Sequence, residues 1–273
     1  MVKIRINERR SIGDGEPVFI IAEAGANHNR DKKLAFELID AAADAKADAI
    51  KFQIYSANTL YSKEAPRFSK DSLRPWDLIK AVETPRNWIP ELKEYSDKKG
   101  LIFFATPFDF DAVDELEAVG TEIYKIASFE IVDLDLIHYV SSKQKPTIIS
   151  TGLSNLEEIE DAYLAYKSTG NNKLVFLQCA SLYPSKPEIM NLRAITSVRS
   201  AFNTITGLSD HTVGIHISVA AVAMGASVIE KHFTLDRNMK GPDHPFAVEP
   251  NELSQMISNI RDTEKAFGDG LKI

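Results

Sequence analysis

Eight short apolar runs, each followed by a stretch with helical spacing, recur along the whole chain. The runs are 18–25, 49–53, 101–107, 123–128, 147–152, 174–181, 204–211 and 227–234. Segments such as Val18-Phe19-Ile20-Ile21-Ala22 and Leu101-Ile102-Phe103-Phe104-Ala105 are almost continuously hydrophobic. Strands covered on both faces require this, as in a parallel sheet jacketed by helices. Helical spacing is expected over 31–46, 87–99, 109–119, 133–142, 155–167, 187–201, 214–224 and 250–267. Gly100, Gly120 and Gly170 stand near helix ends, where a left-handed cap is expected. Strict alternation repeated eight times predicts an α/β fold, a closed (β/α)8 TIM barrel. A doubly wound open sheet usually has fewer strands and a Gly-rich first turn, whereas the first run here leads into Gly25-Ala26-Asn27-His28-Asn29.

The length of 273 residues suits one such barrel, a single domain over 1–273, with a short strand or hairpin at about 1–16. A formal net charge of −7 disfavours nucleic acid or an anionic membrane as partner. The start lacks the apolar core of a signal peptide, and no run reaches the roughly 20 apolar residues of a membrane span. One cysteine, Cys179, excludes an internal disulfide framework and fits a reducing cytoplasm.

Nearly every run ends in a polar residue, and in a parallel barrel all strands end at one mouth. His211 and His232 close the last two runs, so two imidazoles are expected on adjacent strands, where they could share one divalent cation. The bland alternative is a pair of hydrogen-bonded rim residues. His28 and His244 lie in loops and are expected to contact substrate or backbone. Lys51 and Lys125 sit inside apolar runs, where an ammonium must pair or lose its charge. Together with the hydroxyls of Thr106, Ser128, Ser150 and Ser209 they could form an anion site. Structural pairing with Glu23 or Glu130, or a Schiff-base role, are the alternatives. Glu23 and Glu130 could serve as bases or bind hydroxyls, and Gln53 and Tyr183 suit a polyol. Cys179, with no assigned histidine, reads as buried and inert. Two long connections, 54–86 (with Tyr55, Tyr61, Phe68 and Trp76) and 236–248, are expected over the mouth.

Nine segments, in order, resemble the sialic acid synthase family, the phosphoenolpyruvate-dependent synthases of nonulosonic acids. They are Ile-Ala-Glu-Ala-Gly-Ala-Asn-His-Asn (21–29), Ile-Lys-Phe-Gln (50–53), Ala-Thr-Pro-Phe-Asp (105–109), Tyr-Lys-Ile-Ala-Ser (124–128), Ile-Ile-Ser-Thr-Gly (148–152), Gln-Cys-Ala-Ser-Leu-Tyr-Pro (178–184), Gly-Leu-Ser-Asp-His-Thr-Val-Gly (207–214), Ile-Glu-Lys-His-Phe-Thr-Leu-Asp (229–236) and Gly-Pro-Asp-His (241–244). The resemblance implies condensation of phosphoenolpyruvate with an open-chain N-acyl hexosamine to a nine-carbon 2-keto-3-deoxy acid. It implies Mn2+ or Mg2+ held by His211 and His232. Phosphoenolpyruvate would meet Lys51, Thr106, Lys125, Ser128, Ser150 and Ser209; the sugar would meet Gln53, Glu130, Ser181, Tyr183 and Asp243; Glu23 would orient a water. A related condensing barrel on another sugar, a Schiff-base aldolase and a silent sugar-binding barrel are the other readings. A homodimer is expected. The family's small C-terminal antifreeze-like domain has no counterpart in these residues, so the expectation is that a separate chain supplies it, that other groups such as loop residues Arg67, Lys70 and Arg74 replace its arginine, or that the acceptor differs. Arg30 stands where a glycine is expected after Asn-His-Asn.

Overall fold

The structure, a computed structural model, describes residues 2–67 and 73–272; Phe68 and Lys70 lie outside the described residues. Eight strands form one parallel sheet: β1 (Phe19–Gly25), β2 (Ala49–Ile54), β3 (Ile102–Pro107), β4 (Tyr124–Ile126), β5 (Thr147–Ser150), β6 (Leu174–Cys179), β7 (Ile205–Asp210) and β8 (Val228–His232). Their order is β3-β2-β1-β8-β7-β6-β5-β4, and β4 lies against β3 to close the ring. The eight-stranded barrel expected from the alternation is therefore present. The jacket is α1 (Lys32–Asp44), α2 (Ile89–Lys98), α3 (Phe110–Ala118), α4 (Leu134–Ser142), α5 (Leu156–Lys167), α6 (Ala194–Phe202), α7 (His216–Ala223) and α8 (Pro250–Ala266). No described helix is long and apolar enough to cross a membrane.

Strand periodicity places the site. Residues i, i+2 and i+4 of each strand point to one face. Phe19, Ile21, Ala49, Ile102, Phe104, Ile123, Ile148, Val175, Leu177, Ile205 and Val228 fill the barrel interior. Burying side chains of this size contributes about 1.5–3 kcal/mol each relative to exposure. The same faces continue upward as Glu23, Lys51, Thr106, Lys125, Ser150, Cys179, Ser209 and Glu230, all buried. The alternate residues, among them Ile20, Ile50, Phe103, Phe176 and Ile229, pack with the helices. At the other end, strands Lys3–Arg5 and Ser11–Gly13 pair antiparallel, and their Ile4 and Ile12 join the interior apolar layer.

Local signals explain most helix starts. Asp31 caps α1 by accepting from the Lys33 and Leu34 amides, and Asn155 with Glu158 makes a capping box on α5. Gly100, Gly120 and Gly170 do take left-handed φ of 78°, 70° and 80°. Two expected helices are corrected. Over 87–99 a 3-10 turn, Arg86–Trp88, comes first, and α2 begins with Pro90 in its first turn and no Asn87 cap. Over 187–201 only a 3-10 turn, Pro187–Ile189, forms at first. Asn191 then takes φ +44, and α6 starts at Ala194. The long connection after β2 holds two short helices, Ala57–Leu60 and Pro75–Val82.

Candidate active site

Parallel register brings the polar ends together. Glu23 is level with Lys51 on one side and His232 on the other, and Ser209 is level with Glu230 and Cys179. A register shift between Glu23 and Gly25 marks a bulge at the rim, with Gly25 at φ +52. Bulges of this kind re-aim side chains beside sites.

Lys51 occupies the centre. Its Nζ is 2.9 Å from Glu23 Oε2 and 3.7 Å from Glu230 Oε2, and it donates to Thr106 Oγ1 at 3.0 Å. Burial pulls the ammonium down, but the two carboxylates outweigh it and hold its pKa above the usual lysine value. Burial lifts the Glu23 carboxyl to about 7, against the pull of Lys51. Gln53 Nε2 donates to Glu23 Oε1 at 2.9 Å. Lys125 has only neutral partners, donating to Ser150 Oγ and the Ile126 carbonyl, both at 2.7 Å. Burial therefore dominates and lowers its pKa.

A second group of hydroxyls meets over Gly152. Its amide donates to Ser128 Oγ at 3.1 Å. A Cβ there would lie 2.2 Å from Ser181 Oγ and 2.8 Å from Ser128 Oγ, so only glycine admits both hydroxyls in these positions. Ser181 thus stands beside Ser128. Glu130 lies in the 3-10 turn Ser128–Val132 with Oε2 buried and unpartnered, and burial lifts its carboxyl to about 7.

The two imidazoles face each other, ring centroids 5.3 Å apart and planes at 55°. His211 Nδ1 is 3.0 Å from the Ala180 carbonyl, which can only accept. In the neutral ring Nδ1 is then the donor and Nε2 keeps its lone pair. His232 Nδ1 is buried without a hydrogen bond, 3.6 Å from Asp243 Oδ2. Burial, with His211 and Lys51 nearby, holds His232 well below the usual range, in the neutral form that binds metals. Bonds to nitrogen of about 2.1 Å let rings this close serve one first-row cation. Among the described residues no set of three His, Cys, Asp or Glu forms a metal site, so water and substrate oxygens would complete the sphere. Two neutral imidazoles completed by oxygens fit a first-row cation such as Mn2+ and suit the harder, oxygen-preferring Mg2+ less well.

Tyr183, half-exposed, lies 4.3 Å ring to ring from His211, and Phe246 lies 5.3 Å from His232. Phe246 was not singled out from sequence, although the dense turn signals before it marked the loop. Glu230 was missed too. It accepts from Ser209 Oγ at 2.8 Å, and Lys51 and Lys125 outweigh its burial to keep it ionised. It stands two residues before His232, and strand alternation alone points it inward.

Two expectations are corrected, for Cys179 and His244, and one is met, for His28. Cys179 does have a histidine: its Sγ is 3.7 Å from His211 Nδ1, a contact that outweighs burial and lowers the thiol. His28 contacts backbone as expected, accepting from the Arg30 amide at 3.0 Å; it is also bonded to Thr84 Oγ1 at 2.8 Å, and burial depresses it to about 4. His244 instead ties Thr234 Oγ1 at 2.6 Å. Arg30 takes φ +57, so the loop keeps a glycine-like backbone with an arginine in it. Arg74 pairs with Asp77 on the loop surface.

Comparison with known proteins places these features in a common setting. Residues 38–272 match the model of the NeuB family. The N,N'-diacetyllegionaminic acid synthase of Campylobacter jejuni is 43% identical over 261 residues, covering 93% of this chain and 78% of that protein. The pseudaminic acid synthase of the same organism is 39% identical over 259 residues, covering 93% and 76%. The crystal structure of N-acetylneuraminic acid synthetase from Leptospira borgpetersenii superposes with a TM-score of 0.91 at 39% identity, covering 100% of this chain and 92% of that one.

Proposed function

The chain belongs to the NeuB family and is an enzyme, a synthase of the nonulosonic acid type, and we propose that it condenses phosphoenolpyruvate with an open-chain N-acyl hexosamine, giving a nine-carbon 2-keto-3-deoxy acid and phosphate. The observation that carries the proposal is one mouth holding two facing imidazoles beside Lys51 and Lys125. A phosphate and a carboxylate on one small substrate need two cations and several hydroxyl donors at short range, and this mouth has them.

In this reading His211 and His232 hold Mn2+ or Mg2+, which when bound supplies Lewis acidity toward the sugar aldehyde. Lys51, Lys125, Thr106, Ser150 and Ser209 hold the phosphate and carboxylate of phosphoenolpyruvate, with Ser128 supporting them beside Gly152. Gln53, Glu130, Ser181, Tyr183 and Asp243 line the space for the sugar. C3 of phosphoenolpyruvate forms the new bond to the aldehyde carbon, leaving positive character at C2. Water adds at C2 and gives its proton to the Glu23 carboxylate, whose Oε2 is ion-paired with Lys51 at 2.9 Å. The C2–O bond to phosphate then breaks, phosphate leaving with the bond pair and the proton of the C2 hydroxyl, which becomes the keto oxygen, while the proton held by Glu23 passes to the oxygen of the former aldehyde.

The same reading has the enzyme work in the cytoplasm as a homodimer. Exposed Phe129, Val132, Leu153, Leu182 and Val213, each in a loop just past β4 to β7, support a covered rim. The test is an acceptor screen. The chain, phosphoenolpyruvate, Mn2+ and a panel of N-acyl hexosamines, free and 6-phosphorylated, are incubated and products weighed by mass spectrometry. A nine-carbon acid from one of them is expected; binding without any product would favour the silent sugar-binding barrel.

A further inference from the structure

Asp210 and Lys231 each immediately precede one of the two imidazoles, yet both side chains point away from the mouth, as strand alternation requires. They are direct partners and the last pair in the β7–β8 ladder. Lys231 Nζ lies 3.0 Å from Asp210 Oδ2, with side-chain exposures of 1% and 0%. The carboxylate also accepts from the Thr212 amide at 2.9 Å, the Thr212 hydroxyl at 2.7 Å and the Ser218 hydroxyl of α7 at 2.6 Å. Lys231 Nζ donates to the Thr212 carbonyl as well. His211 is therefore gripped on both chain neighbours, and the grip is anchored to the residue preceding His232.

Beyond this pair the strands part. The His211 carbonyl accepts from the Ser185 amide and the His232 carbonyl from the Val248 amide, so beyond the pair neither strand end bonds the other. The ionic clamp is thus the last tie between the two strand ends before the rings. With its Lys, Thr and Ser donors all engaged, the carboxylate is committed to this internal network.

We propose that Asp210 and Lys231 are positioning residues, whose buried pair sets the spacing of His211 and His232 and through it the affinity for the cation. The inference rests on the reading of those two imidazoles as cation ligands. A pair serving only to dock α7 would move the melting temperature and leave cation affinity alone. Groups behind metal ligands typically change affinity 10- to 100-fold.

The test is the double variant Asp210→Asn, Lys231→Met, which leaves no single charge buried. Mn2+ binding is measured by the electron paramagnetic resonance of free Mn2+, phosphoenolpyruvate binding by calorimetry in chelator, and folding by thermal melting. The expected result is a cooperative melt, phosphoenolpyruvate affinity within about twofold, and a Kd for Mn2+ raised at least about tenfold. A folded variant binding Mn2+ like the unaltered chain overturns the clamp. If the double variant does not fold, Ser218→Ala decides: a few-fold weaker Mn2+ binding upholds the proposal and unchanged binding overturns it. Failure of the unaltered chain to bind Mn2+ overturns the ligand reading and the clamp together, which separates the two failures.

Discussion

Lys51 Nζ lies 2.9 Å from Glu23 Oε2, both side chains almost wholly buried, at the level where the barrel interior turns from apolar to polar. Neither charge is tolerable there alone. Lys51→Ala would leave Glu23 and Glu230 without their shared cation, so a loss of about 3–5 kcal/mol in stability is expected. A rise of roughly a hundredfold or more in the phosphoenolpyruvate KM should accompany it. Denaturant melts and steady-state kinetics check both. Glu23→Gln keeps the shape and should lower kcat by about 10²–10⁴ with little change in KM.

Gly152→Ala separates fold from site. The added methyl meets two serine hydroxyls, which can rotate, so the melting temperature should hardly change. Those hydroxyls would then turn out of the pocket, and the KM for phosphoenolpyruvate should rise about tenfold or more. Unchanged kinetics in a well-folded variant would remove Ser128 from the anion site.

Glu130 should make stability depend on pH. Burial lifts its carboxyl to about 7 from an ordinary 4.5. Between those values the unfolded chain has released the proton and the folded chain keeps it, so stability falls as pH rises through the window and levels off above 7. At 1.36 kcal/mol per unit the full penalty is roughly 3 kcal/mol. Glu130→Gln should match the parent near pH 4 and exceed it in urea melts at pH 7.5. Equal stabilities at both pH values would contradict this.

Lys125 separates the condensation from a Schiff-base aldolase. Its bonds to Ser150 and the Ile126 carbonyl hold Nζ as a donor, the role the proposed anion site needs. Lys125→Ala should chiefly raise the phosphoenolpyruvate requirement, and borohydride should trap no substrate on the protein. A trapped adduct whose mass is lost in Lys125→Ala would favour the aldolase.

How much of this was legible depended on whether the signal was periodic or three-dimensional. Near-continuous runs announced strands covered on both faces, and polar run ends announced the mouth, because both follow from alternation along one strand. Glu230 was legible by the same rule, two residues before His232, but was hidden inside its apolar run. The Asp210–Lys231 pair and the contact of Cys179 with His211 depend on register between strands, which a single chain does not print. His28 and His244 sit in loops whose partners, Thr84 and Thr234, are set by tertiary packing. The helix expected from 187 was broken by the left-handed turn at Asn191, which apolar spacing does not register.

The measurement that bears most directly on the central claim is phosphate release from phosphoenolpyruvate, followed after chelation and re-addition of Mn2+, with and without the accepted amino sugar. The account predicts release only when cation and sugar are both present, and none from His211→Ala or His232→Ala even though both variants keep the parent's melting behaviour. Release that persists in chelator, or in a folded chain lacking both imidazoles, would contradict it.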